Sequence, residues 1–128
     1  DHTDRKVESY DVTVSKQMCD KPIARQVWRY AEVQGHWDQL VMRTWRVRDG
    51  VRALYQQGPV TNLLAPETLL AKLNSDASLP ADTAMFCGTQ SVIGELGYGE
   101  AFEMELFDPV LNRSLRHQYG VEPLPVAE

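Results

Sequence analysis

Asp49-Gly50 is the strongest local constraint in this sequence, because it stands between two strand-like runs over 40–48 and 51–56. A two-residue hairpin loop of the favoured kind needs positive φ at both positions, and Asp-Gly adopts it at little cost. Such a loop predicts three cross-strand pairs: Arg48 with Val51, Val47 with Arg52, and Trp45 with Leu54. Trp45, Val47 and Leu54 then share one face, expected to be the core face. Arg46, Arg48 and Tyr55 share the other, which is basic and partly aromatic.

A second hairpin is written near the C-terminal end. Phe102, Met104 and Leu106 alternate with Ala101, Glu103 and Glu105, and a return strand over 113–121 follows a four-residue loop at 109–112. Because a slip of one residue would turn every side chain to the wrong face, the apolar pattern sets the register. It pairs Leu106 with Leu115, Met104 with His117 and Phe102 with Tyr119, and it sets Glu105 opposite Arg116 as a cross-strand ion pair.

The remaining elements are expected from shorter signals. Tyr10, Val12 and Val14 alternate with polar residues and predict an early strand. Residues 20–35 read either as a helix, with Asp20 as its cap and Gly35 beyond its end, or as a strand over 26–34. Their aromatic and β-branched content favours the strand. Leu69, Leu70 and Leu73 form a stripe that predicts a helix over 66–74, with Glu67 near its N-terminus, where the dipole favours an acid. A further strand is expected over 83–90, and a turn-rich stretch at Gly94, Gly97 and Gly99.

The sum is an α+β chain: a curved, mostly antiparallel sheet or partial barrel of roughly five to seven strands, with one main helix packed on it. At 128 residues and 43% hydrophobic, it reads as a single domain over 1–128, with a mobile segment at 1–6 and an extended tail at 122–128.

Charge and composition narrow the function classes. There is no apolar run of membrane-spanning length. A formal charge of −5 argues against nucleic acid as the partner. The charge is uneven, however: six arginines against three acids make residues 25–52 +3, leaving −8 for the rest. Arg with aromatic residues is the composition of interface anchors, so Arg46, Arg48 and Tyr55 are the expected surface for a protein partner. Edge strands of an open sheet also allow a homodimer.

Cys19 and Cys87 belong to no metal-binding or redox spacing. Bridged, they would close a long loop and stabilise the fold by about 4 kcal/mol in the chain-entropy view; unbridged, they are small buried hydrophobes. A disulfide, with the leaderless Asp-His-Thr-Asp start, leads to an expectation of export to the periplasm or the extracellular space.

No catalytic motif is present, and the Gly94/Gly97/Gly99 spacing is wrong for a dinucleotide loop. His36 stands near Asp38 without a nucleophile, and the Asp1/His2/Asp4 group lacks a rigid surround for a metal. Glu103 and Glu105 share a face beside Arg116 and read as an ordinary solvent face. No cofactor or metal is expected. The expected function is therefore a small exported protein-binding module (an inhibitor, an immunity-type factor or an assembly accessory), leaning away from an enzyme. The alternative is a small-ligand binder or enzyme with a pocket near His117 and Tyr119, two polar groups on a predicted apolar face.

Overall fold

Both hairpins form, and they join side by side. In the computed structural model, which describes residues 2–123, β1 (Val41–Arg48) pairs with β2 (Val51–Pro59), and β3 (Ala101–Asp108) with β4 (Arg113–Gly120). The sheet order is β2-β1-β3-β4, antiparallel throughout. Asp49 and Gly50 carry φ of 51° and 71°, the two positive angles the turn requires. Every pair expected in each hairpin is present, including Trp45 with Leu54 and Glu105 with Arg116.

The sheet is open, neither closed nor curled, and has four strands among the described residues, which corrects the larger partial barrel. Three segments account for the difference. Residues 10–14 do not form a strand; short helices run over Arg5–Glu8 (α1) and Val12–Gln17 (α2) instead. The reason is local capping. The Asp4 carboxylate accepts the N–H groups of Lys6 and Val7, and the Asp11 carboxylate that of Val14. These bonds satisfy the first turns, and the alternation of Tyr10, Val12 and Val14 leaves all three exposed.

The strand expected over 26–34 is likewise replaced, by α3 (Tyr30–Val33) running into a 3-10 turn at Gln34–Gln39. Here tertiary burial outweighs β propensity. Val33, Leu40 and Val60 form the closed heart of the core, and Trp28, Trp37, Met42 and Leu106 pack around it. The third segment, 83–90, has no ladder. Its attachment runs through side chains: Gln56 donates to the Thr89 hydroxyl and the Gln90 carbonyl, and the buried Gln90 amide donates to the Pro59 carbonyl. Beyond it, Val92 makes one isolated bridge to Gln56.

The expected helix over 66–74 is present as α4 (Pro66–Leu73). None of its residues is buried, and it does not pack extensively against any strand, which corrects the helix expected to lie on the sheet. The Tyr30 hydroxyl donates to Glu67, which ties α4 to α3. The N-terminal segment begins with His2 Nε2 at 2.7 Å from the Tyr119 hydroxyl. Part of the expected tail, 124–128, lies outside the described residues.

The packed face of the first hairpin is the opposite of the expected one. The β1–β3 pairing sets Arg46 opposite Phe102 and Trp45 opposite Glu103. Phe102 is buried, with Tyr55 at 5.8 Å and Tyr119 at 6.1 Å between ring centroids. The aromatic face of the second hairpin therefore decides the side, and Arg46 follows Phe102 to the packed face while Trp45 goes to the open one. A register shift between Thr44 and Trp45 leaves Tyr55 as the extra residue of β2. Such a bulge re-aims a side chain, and the Tyr55 ring is buried.

Cys19 and Cys87 are both free, which corrects the expected disulfide. Each thiol is held within its own segment: Cys19 donates to the Ser15 carbonyl at the end of α2, and Cys87 to that of Met85.

Candidate functional site: the open face of the sheet

The open face carries an Arg-bearing groove of about 530 Å³ across all four strands. Strand alternation puts Arg43 and Trp45 of β1, Glu103 and Glu105 of β3, and Arg116 and Gln118 of β4 on one side. Arg52 joins them from β2, opposite Val47.

Glu105 forms the floor and is buried. Its Oε1 accepts from Arg116 Nε at 2.9 Å, Arg116 Nη2 at 2.8 Å and Ser114 Oγ at 2.9 Å. Its Oε2 accepts from Arg43 Nη1 at 2.8 Å. Burial alone would push this carboxyl up, but the bonds from Arg43, Arg116 and Ser114 outweigh it and hold the pKa at about 2. Glu105 is thus a fixed anion held by four hydrogen bonds, so it anchors the arginines and is unsuited to proton transfer near neutrality.

The rim has a different character. Arg52 donates through Nε to Glu103 at 2.8 Å, and its guanidinium lies 4.3 Å from the Trp45 ring centroid. Arg43 lies likewise over Phe107, at 5.3 Å. Planar guanidinium groups held on rings keep their orientation while still offering unused N–H donors outward. Three arginines and two glutamates line the groove, a local +1 in a chain of −5.

The residues expected as sites divide between two places. Arg46 lies over the Tyr55 ring at 4.7 Å and reaches the carbonyls of Glu95 and Gly97. Tyr55 donates to the Gly97 carbonyl and accepts its N–H. Arg48 lies over Tyr98 at 5.3 Å. The glycine-rich stretch is therefore an arm laid along the Arg46/Arg48/Tyr55 side. Gly99 permits the close approach: a Cβ there would stand 2.5 Å from Arg46 Cγ and 2.7 Å from the Val47 carbonyl oxygen. Arg46 and Arg48 also border a hollow of about 280 Å³ with Asp49, Val51 and Ala53.

His117 borders the groove. Its ring, however, is 6.2 Å from that of Tyr119, on the packed side. Tyr119 stacks on Phe102, and burial raises its hydroxyl to about 12. Its partner His2 is lowered, chiefly by burial.

Sequence reasoning passed over Arg43, Trp45 and Arg52 as groove residues. The Glu105–Arg116 pair was the signal available, since an ion pair on a strand marks a polar face. A second cluster was also missed. His36 Nε2 lies 3.0 Å from Asp108 Oδ1, and Arg113 joins Asp108 to Glu32. Asp108 is fully buried at the end of β3 and accepts the N–H groups of Val110 and Leu111, so it fixes the second hairpin turn. Burial would raise its carboxyl, but the Leu111 N–H, His36 and Arg113 hold it at about 2.

Among the described residues no group of three or more His, Cys, Asp or Glu side chains is placed to hold a metal ion. No helix there is long and apolar enough to cross a membrane. A comparison with curated proteins and one with solved structures gave no match. The profile of one family, described as protein of unknown function (DUF2848), matches residues 1–119. With nearly the whole length matched, the chain belongs to the DUF2848 family.

Proposed function

We propose that this chain is a non-enzymatic binding module that holds an acidic protein segment in the groove on its open sheet face. The observation that carries this reading is the rim: Arg52, Arg43 and Arg116 are held in place by rings and by Glu105, and still present donors outward. Preordered guanidinium groups lose little entropy on engaging a carboxylate. Trp45 adds a large aromatic surface beside them.

The charge balance selects among anionic partners. A nucleic acid carries a long run of phosphates and calls for an extended basic surface. Here the net charge is −5, and Glu103 and Glu105 interrupt the groove. A short carboxylate-bearing segment needs only the local surplus. Arg46, Arg48 and the arm over Tyr55 make a secondary contact surface beside the hollow of about 280 Å³. Export draws no support from a disulfide, since Cys19 and Cys87 are both free.

A second reading is favoured by one observation, the groove's volume. About 530 Å³ falls within the range of small-molecule sites, so a small organic anion would meet the same arginines. His117 borders this groove, whereas Tyr119 lies against Phe102 on the packed side.

The test is an NMR titration of isotope-labelled protein with a short glutamate-rich peptide, against a lysine-rich one. Shifts should centre on Arg43, Trp45, Arg52 and Arg116. Arg52→Glu, which leaves the Glu105 bonds intact, should weaken binding at least tenfold. Equal affinity for both peptides, or an unaffected Arg52→Glu variant, would refute the proposal. Binding of citrate with the same shifts, and no peptide binding, would favour the small anion.

A further inference from the structure

The two outer edges of the sheet are unequal. The β2 edge is protected: the bulge at Tyr55 breaks its line, the Tyr55 carbonyl accepts the Ile93 N–H, and Gln56 bridges Val92. It ends in Gly58-Pro59, and proline has no N–H to offer a further strand. The β4 edge has none of these devices. It pairs with β3 over its full length without a shift, contains no proline, lysine or acid, and no strand among the described residues pairs with its free side. A straight edge of this length presents unpaired N–H and C=O groups as a template for one more strand.

We infer that the β4 edge is a strand-addition site for an extended segment of a partner protein that alternates acidic and apolar residues. This rests on the reading of the groove as an acidic-segment site and supplies the backbone geometry for it. The alternation follows from the two sides of β4. Ser114, Arg116 and Gln118 lie on the groove side, where the Arg116 side chain is 77% exposed and keeps N–H groups beyond the two given to Glu105 for a second carboxylate. Leu115, His117 and Tyr119 lie on the packed side, where an apolar neighbour extends the rings of Phe102 and Tyr119. Main-chain bonds would supply affinity and alternate side chains the selectivity.

A second copy of this chain fits less well. Antiparallel self-pairing of β4 centred on Arg116 sets two guanidinium groups opposite each other, and like charges directly across a strand pair are unfavourable.

The experiment uses the intact chain and four peptides of eight residues: alternating glutamate and valine, alternating lysine and valine, and two forms of the first, N-methylated on alternate residues in the two possible phases. The glutamate–valine peptide should shift the amides over 113–120, and the lysine peptide should not. One phase of N-methylation should weaken binding tenfold or more, because only one set of amides faces the edge; the other phase should bind nearly as the parent does. If neither phase weakens binding, strand addition is overturned while the groove reading stands. If the unmodified acidic peptide does not bind, both fall. If the 113–120 amides become protected only as protein concentration rises, without peptide, the edge belongs to a second copy and the inference is overturned.

Discussion

Glu105 and Arg116 face each other across β3 and β4, and a single carboxylate oxygen, Oε1, takes both the Nε and the Nη2 hydrogen bonds of the guanidinium, at 2.9 and 2.8 Å. The other oxygen is taken by Arg43, so one buried acid organises two strands on either side of its own.

Removing that charge should therefore loosen the open face. Glu105→Gln leaves Arg43 and Arg116 without their anion and should cost about 2 kcal/mol, since buried partners left unpaired lose more than the net value of the bond. Urea unfolding followed by circular dichroism measures it. A midpoint equal to that of the parent chain would show that Glu105 does not hold the arginines.

Acid should act through the same group. Glu105 and Asp108 are held at about 2 in the folded chain, below their ordinary values of 4.5 and 3.8. The unfolded chain therefore takes up protons first as the pH falls. The stability these pairs contribute is full above 4.5 and is lost progressively as the pH falls towards about 2. His2, lowered chiefly by burial, adds a loss that begins below its ordinary 6.5. Urea midpoints measured from pH 7 to pH 2 should hold or decline slightly at first and then fall steeply in the lower window. A flat profile there would contradict the pairing.

Arg46 and Arg52 should separate in their effects. Arg46 stacks on Tyr55 and holds the Glu95 and Gly97 carbonyls, so Arg46→Ala should destabilise the fold by about 1–2 kcal/mol and free the arm over 94–99. Arg52 pairs with Glu103 at the groove rim, so Arg52→Ala should change stability by less than about 1 kcal/mol. Thermal melts of the two variants, with hydrogen exchange over 94–99, decide this. A larger loss for Arg52→Ala would mean that the packed face has been misassigned.

Two glycines should differ for a steric reason. Gly99→Ala drives a Cβ to 2.7 Å from the Val47 carbonyl oxygen, a backbone atom between paired strands, and should cost about 1–3 kcal/mol. Gly58→Ala instead drives a Cβ into the buried Gln90 amide, which can give way only by losing its bonds to Asn62 and the Pro59 carbonyl, so it should loosen the 83–90 segment. Hydrogen exchange over 83–90, raised in Gly58→Ala and unchanged in Gly99→Ala, checks the difference.

Both thiols should titrate on denatured, unreduced protein, and the mass should not change on reduction, because Cys19 and Cys87 are free. In the native state the exposed Cys87 should react with a thiol reagent before the half-buried Cys19. A mass two daltons below the reduced form would restore the disulfide.

What was legible in the sequence was local. Asp49-Gly50 and the Phe102/Met104/Leu106 alternation each set a hairpin and its register, because turn geometry and side-chain period act over a few residues. The Pro66–Leu73 helix was legible for the same reason. The expected strand at 10–14 failed on an equally local competitor, the Asp4 and Asp11 caps, which periodicity does not register.

The candidate site was legible only in part. The Glu105–Arg116 pair follows from the second hairpin alone, but the groove needs Arg43, Trp45 and Arg52 from the first. Within its own hairpin Trp45 is the natural core residue and Arg46 the natural surface one, since an isolated two-stranded unit carries no information about what will cover it. The β1–β3 pairing, between strands more than fifty residues apart, sets Arg46 against Phe102 and Trp45 against Glu103 and so reverses the choice. By itself the sequence determined which residues share a face; only the tertiary structure decided which face is covered, because burial is a property of the joined sheet and the segments laid against it.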